Sequence, residues 1–355
     1  MTLVCPETKT YRSKERRAYL YIIAIILSIA ILSVYSLSKS SLPMSFMEAY
    51  QSLYNRIVGI EPENYRQWLV NQVVYNNNLP RTIVAILVGI ILAVSGAVMQ
   101  TLTRNPLADP YTIGISSAAL FGVTLSIICG ISIIPGSGDI SIISNAFVMA
   151  LIPSATIIFL SSFKKMSPTM MILIGIGLMY VFSSINMFLK VNADPEKLEE
   201  VYVWSIGTLS SVEWSAILPL LCASVMILTV MLILSNRINV LSAGDNMSVA
   251  LGVNPLKLRV ICFLLVSIAV AVAVCFTGTI GFVGLVGPHI ARLFVGSNMK
   301  RLIPASALIG ALMVLCADIG VRMIPGGLPA GVVTALIGSP LFIYFLYRQR
   351  KQAAF

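Results

Sequence analysis

Charge is what this chain has least of. Asp, Glu, Lys and Arg together make up 11% of its 355 residues, where a soluble domain carries about 25%. The composition therefore excludes an ordinary soluble enzyme. Histidine occurs once, as His289, so a histidine-ligated metal centre has too few ligands. No GxxxxGK[ST] phosphate loop occurs, and nucleotide phosphates cannot be cradled by that route. HExxH, paired carboxylates and Cys/His constellations are missing from the apolar stretches, which leaves no site for covalent or metal-assisted chemistry. The six cysteines show no CxxC spacing and read as small buried hydrophobes rather than disulfide or metal partners. A convincing signal-peptide cleavage site is also missing after the apolar run from Ala18 to Leu37, so that run is expected to stay as a first membrane span.

What the chain has is apolar length. Hydrophobic residues account for 57% and the mean hydropathy is +0.91. Apolar runs near 17–37, 82–102, 111–131, 143–163, 169–189, 214–235, 256–276, 280–296, 302–321 and 329–347 each approach the roughly 20 residues that cross a bilayer as a helix. The expectation is an all-α integral membrane protein with ten transmembrane helices in one domain, residues 17–347, between tails at 1–16 and 348–355. Ten spans put both ends on one side. Placing them in the cytosol puts Lys9, Arg12, Arg16, Arg104, Lys164, Lys165, Arg237, Lys257, Lys300 and Arg301 inside, as the positive-inside rule requires. The net charge of +10 is then topological, and no nucleic-acid partner is implied. Segments 38–78 and 190–213 fall outside. Segment 236–255 falls inside and is too polar to span; its Asp245–Leu251 portion is expected to form a short helix between Gly244 and Gly252.

Residues 79–115 are the most informative stretch. Gly89, Ala93, Ser95, Gly96 and Ala97 give the span a small-residue surface on which a neighbouring backbone can pack. The chain then leaves through Asn105, Pro106, Asp109 and Pro110, a turn built by proline and Asx chemistry. At an offset of 182 residues Gly96 meets Gly278, Pro106 meets Pro288 and Gly114 meets Gly296, the trace of an inverted repeat, an arrangement that builds transport pathways at its interface.

The motifs LPRT, SGAVMQ, TRNPLADP and IGIS in this stretch, with Trp204 and Gly207 in WSIGTL and Pro288, His289 and Arg292 in IGFVGLVGPHIAR, resemble the FecCD-type permease subunits of iron-siderophore, haem and cobalamin ABC importers. The likeness covers about residues 70–347. It implies a type II ABC importer bundle in a prokaryotic plasma membrane, with both termini cytosolic. The permease would form a homodimer or pair with a related permease, above two ATP-binding cassette subunits and below an extracytoplasmic solute-binding protein. ATP and Mg would be held by the partner ATPase, with no cofactor in this chain, which would move a metal chelate by alternating access.

Residue by residue, the resemblance assigns Gly244, Asp245, Ala250, Leu251 and Gly252 to ATPase coupling, Ser167, Pro168 and Thr169 to a gate after the basic turn Lys164–Lys165, and Arg81 and Arg322 to binding-protein docking. Gly96, Asn105, Pro106, Asp109, Pro288, His289 and Arg292 form its structural signature. Two arginine readings stay open: Arg81 as an interfacial residue, and Arg322 as the i,i+4 partner of Asp318. The chain departs from the family pattern at Asn78, where a basic residue is frequent, and at Gly327, where an acid usually precedes Leu-Pro. A rival reading, an ion- or proton-coupled secondary transporter, would need intramembrane ion ligands, and Asp318 stands almost alone there.

Overall fold

The computed structural model describes residues 6–40, 42–134, 138–163, 166–324 and 328–353. It is helical throughout, with no strand among the described residues. In chain order the α-helices are α1 Pro6–Leu37, α2 Phe46–Val58, α3 Tyr65–Gln72, α4 Leu79–Thr103, α5 Ile115–Ile127, α6 Asp139–Phe163, α7 Pro168–Lys190, α8 Pro195–Ile206, α9 Ile217–Ser242, α10 Asp245–Ala250, α11 Pro255–Thr277, α12 Val283–Val295, α13 Met299–Met323 and α14 Ala330–Ala353. Seven are long and apolar enough to cross a membrane, and α5, α12 and α14 are shorter apolar helices. Together they coincide with the ten apolar runs. The ends differ from the sequence expectation: α1 begins at Pro6 and α14 runs to Ala353, so both stretches read as tails are helical where described. Their Glu, Lys, Arg and Gln residues are good helix formers and simply prolong the spans.

The repeat is present in element order rather than at a constant offset. α4, α5, α6 and α7 have 25, 13, 25 and 23 residues, and α11, α12, α13 and α14 have 23, 13, 25 and 24. In each set the short helix follows an irregular break and starts from a left-handed residue, Gly114 in one and Phe282 in the other. With α1 and α9 added, each half holds five membrane helices. An odd number turns the second half over relative to the first. The 182-residue offset does not relate like to like, because it sets Gly96 inside α4 against Gly278, the residue that ends α11.

The core is built around α4, which packs on α13, α9, α12 and α11 and whose most apolar stretch is 83% buried. Its glycines explain the closeness. A Cβ on Gly96 would overlap the Gly284 carbonyl of α12, and one on Gly89 would overlap the Gly310 carbonyl of α13. Backbones touch because nothing stands between them, the small-residue packing that holds membrane helices together where water is absent. Gly96→Val should therefore lower stability by about 3 kcal/mol or more, read as an earlier thermal unfolding of the detergent-solubilised protein. Gly177→Ala, at an open position in α7, should leave the transition unmoved; equal behaviour of the two variants would contradict this packing.

Candidate functional site

At one end of the bundle, α9 stops and the chain turns into α10. Gly244, with φ 128 and ψ 153, occupies backbone space that only glycine enters readily, and Gly252 at φ 76 closes the turn. Neither glycine has a neighbour within 4 Å of a built Cβ, so conformation, not room, demands them. Asp245 opens α10 and is clamped from two sides. Arg259 of α11 donates from Nη1 to Oδ2 at 2.8 Å and from Nη2 to Oδ1 at 2.6 Å, the bidentate fork that arginine provides. Arg104, just beyond α4, donates to the same Oδ1 and to the Leu241 carbonyl at 3.1 Å. Arg259 is 1% exposed and also reaches the Leu102 carbonyl. One carboxylate thus ties α10 to the ends of α4, α9 and α11. The hydrogen bonds from Arg259, reinforced by the charge of Arg104, hold the Asp245 carboxyl below the usual carboxylate range.

Behind the clamp, Ser248 is fully buried and its hydroxyl donates to Gly244 and Val240 carbonyls. In front, Met247, Val249, Ala250 and Leu251 are exposed. The result is a pinned apolar knob projecting from the bundle. An exposed apolar surface of this kind marks a protein or membrane contact.

The signature residues converge where α4 crosses α12. Gln100 donates to the Gly284 and Leu285 carbonyls and accepts from Arg292 at 2.5 Å. The Asp109 carboxylate lies buried against Gly284, and Asn105 accepts from the Leu107 amide to shape the turn with Pro106. His289 is buried, its Nδ1 on the Leu285 carbonyl at 2.8 Å and its ring between Phe342 and Phe345 of α14. A carbonyl only accepts, so Nδ1 carries the proton. Pro288 sits inside α12 one position earlier. These residues fix the crossing of α4 with α12.

At the opposite end, Arg81, Asp318 and Arg322 form a buried triad. Arg81 Nε and Arg322 Nη2 each donate to Asp318 at 2.5 Å, and Asp318 is 0% exposed. Arg322 Nη1 continues to the Ser36 carbonyl of α1 at 3.0 Å. The pairing of Arg322 with Asp318 agrees with their i,i+4 spacing; the participation of Arg81 does not follow from spacing at all. Both arginines read as docking residues are therefore turned inward, and neither presents a free guanidinium at the surface. Asn78 is buried beside them, its amide donating to the Leu37 carbonyl that ends α1.

Ser167 caps α7, its hydroxyl accepting from the Met170 amide at 3.2 Å, with Pro168 in the first turn and Thr169 exposed. Lys164, Lys165 and Gly327 lie outside the described residues. The WSIGTL segment ends α8 against the break before α12: Gly207 and Thr279 touch backbone to backbone, and Thr208 donates to the Thr277 carbonyl at 2.9 Å. Among the described residues no group of His, Cys, Asp or Glu could hold a metal ion. Sequence reasoning missed Arg104 and Arg259 as partners of Asp245. Their one signal was position, each a cation at the edge of an apolar span.

Comparison with known proteins gives one consistent answer. The model of the FecCD transport family matches residues 20–348. The haemin transport system permease HmuU of Yersinia pestis is 34% identical over 333 residues, covering 92% of this chain and 95% of that protein. The molybdate import system permease MolB of Haemophilus influenzae is 34% identical over 331 residues, with the same coverage of each. A solved structure of an ABC transporter in an inward-facing conformation superimposes with a TM-score of 0.78 at 32% identity, over 92% of this chain and 99% of that one.

Proposed function

The chain belongs to the FecCD transport family and is the multi-pass permease subunit of an ABC importer, its ATPase a separate subunit; from that premise we propose that it carries a metal chelate, a ferric siderophore, haem or cobalamin, into the cytoplasm. The observation that carries the reading is the pinned knob of α10. Its apolar tip suits a cleft in the ATPase, and the Asp245 clamp passes any displacement of that tip to α4, α9 and α11 together. Gly244, Asp245, Ala250, Leu251 and Gly252 are the coupling residues on this reading. The Asp245 end is cytosolic, because Arg237, Lys257, Lys300 and Arg301 gather there while Glu61, Glu63, Glu196, Glu199 and Glu200 lie at the other.

Two copies, or this chain and a related one, enclose the pathway. α7 suits its wall: only 17% of its most apolar stretch is buried, and its exposed side carries Leu173, Tyr180, Met187 and Phe188 without a cation before Lys190. Such a wall suits a chelate that presents carbon and gives a small oxyanion no counter-charge. Ser167, Pro168 and Thr169, at the cytosolic start of α7, are the gate. Docking of a solute-binding protein at the outer end uses Arg81 and Arg322 only if they leave Asp318.

The test is ATP-driven uptake into proteoliposomes holding this chain with its cognate ATPase and binding protein, comparing a ferric siderophore, haem, cobalamin and molybdate. Accumulation of a chelate and not molybdate is the expected result. Accumulation of molybdate alone would overturn the cargo and leave the importer class intact.

A further inference from the structure

Segment 38–78 is not a plain polar loop. α2 begins with a capping box, the Ser45 hydroxyl accepting from the Glu48 amide while the Glu48 carboxylate accepts from the Ser45 amide. Arg66 of α3 holds the same carboxylate at 2.8 Å. Together these bonds pull Glu48 down to about 2. One side of α2 packs on α3 and the π-helical turn Val73–Asn78 through a small core of Ala49, Val70 and Val74.

The remaining side is apolar and, half-buried Tyr50 apart, exposed. At 3.6 residues per turn, positions 46, 47, 50, 54, 57 and 58 fall within an arc of roughly 120°. They are Phe, Met, Tyr, Tyr, Ile and Val. Met47 is 75% exposed and Ile57 is 85% exposed, unusual for water-facing side chains clustered this closely.

What covers this face can be argued from its neighbour. α1 is the least buried of the seven long spans, with 11% of its most apolar stretch inside the protein. Leu20, Ile23, Leu27, Ile31 and Val34 line its outer side at helical spacing, the surface a peripheral helix shows to lipid. α2 is fastened to the end of that surface. The Tyr50 hydroxyl donates to the Val34 carbonyl at 2.5 Å, and the Phe46 ring lies 5.7 Å from that of Tyr35. The Lys39 ammonium sits over both rings, at 4.9 and 5.9 Å, a cation–π contact that holds a positive charge at the junction of the two helices. The bare face of α2 therefore continues the lipid-facing side of α1 past the point where the span ends.

We propose that α2 is an interfacial anchor, lying in the outer headgroup layer of the bilayer with Phe46, Met47, Tyr50, Tyr54, Ile57 and Val58 against the acyl boundary. Amphipathic helices with an aromatic and aliphatic face bind membranes in this way. The anchor fixes the outer end of α1, and through the Ser36 carbonyl it braces the triad at Asp318.

The proposal is tested by spin labels at Ile57→Cys and Asn55→Cys in full-length protein whose native cysteines are replaced, reconstituted in phosphatidylethanolamine–phosphatidylglycerol vesicles. At position 57 collisions with oxygen should exceed those with a water-soluble nickel chelate by roughly five-fold, and at 55 the order should reverse, as for a helix half-sunk below the headgroups. Nickel access at 57 equal to that at 55 would place the face in water. Exclusion of both reagents at 57 would place it against protein, a second copy included. Either result overturns the proposal. The unsubstituted chain offers a second measurement, hydroxyl-radical oxidation in nanodiscs holding one copy. Met47 should oxidise more slowly than Met247, although Met47 is the more exposed of the two in the protein alone; faster oxidation of Met47 would equally sink the idea.

Discussion

Arg259→Ala is expected to cut ATP-driven uptake by more than about ten-fold while the ATPase subunits still bind and hydrolyse. The substitution removes two charge-assisted hydrogen bonds that hold Asp245. Such bonds are worth about 1.5–3 kcal/mol apiece at best, and the half-exposed Asp245 side chain reduces that figure through solvent screening. About 2 kcal/mol of anchoring remains at stake, more than the 1.4 kcal/mol that corresponds to a factor of ten. α10 would stay folded, because Ser248 and Arg104 remain, but its motion would no longer be delivered to α11. Arg259→Lys keeps the charge and loses the fork, so it should fall between the two. Acidification gives an independent reading. Asp245 has a depressed folded pKa, so its clamp contributes fully above the ordinary carboxylate value of about 3.9 and is lost only as pH falls through the lower folded value. Mild acid should therefore leave coupling intact. Normal uptake per ATP in Arg259→Ala would remove the clamp from the mechanism.

Asp318→Asn should destabilise the protein by about 3–5 kcal/mol, because it strands two arginine charges in a buried site. Thermal unfolding in detergent would report it. The cause can be separated from lost packing by the triple variant Arg81→Met, Asp318→Leu, Arg322→Met. Removing every charge at once should recover most of the loss, as happens when buried ion clusters are replaced by apolar groups of similar volume. If the triple variant is as unstable as Asp318→Asn, charge is not the reason. The same pair of proteins bears on docking: a binding protein that recruits Arg81 and Arg322 must compete with Asp318, so Asp318→Asn should bind it no more weakly than the native chain does, while the triple variant should lose it.

The membrane architecture was legible because lipid imposes one pattern on every span, and ten apolar runs became ten apolar helices. The small face of α4 was legible too, since Gly89, Ala93 and Gly96 recur at helical spacing. Partners distant in sequence were not. Asp245 and Arg104 are 141 positions apart, and Arg81 and Asp318 are 237 apart; no local rule pairs them. Asp318 with Arg322 was visible only because a helix turn makes i,i+4 residues neighbours. The repeat was sought at fixed spacing and lay in element order, because loops of unequal length shift the register between halves. α2 was hidden for another reason. Its apolar face is a third of a short helix, and averaging over Asn, Gln and Tyr in the surrounding segment makes the whole look polar.

α4 joins the two charged clusters. Arg81 lies in its first turn and Arg104 follows its last, a separation of about 35 Å at 1.5 Å per residue. Between them the helix is gripped by α13 at Gly89 and by α12 at Gly96 and Gln100, with no proline between Arg81 and Arg104 at which it could flex. A member so held cannot bend to absorb a push. Whatever rotates it at the Asp245 end must turn it at the Asp318 end, making α4 a connecting rod between the two charged clusters.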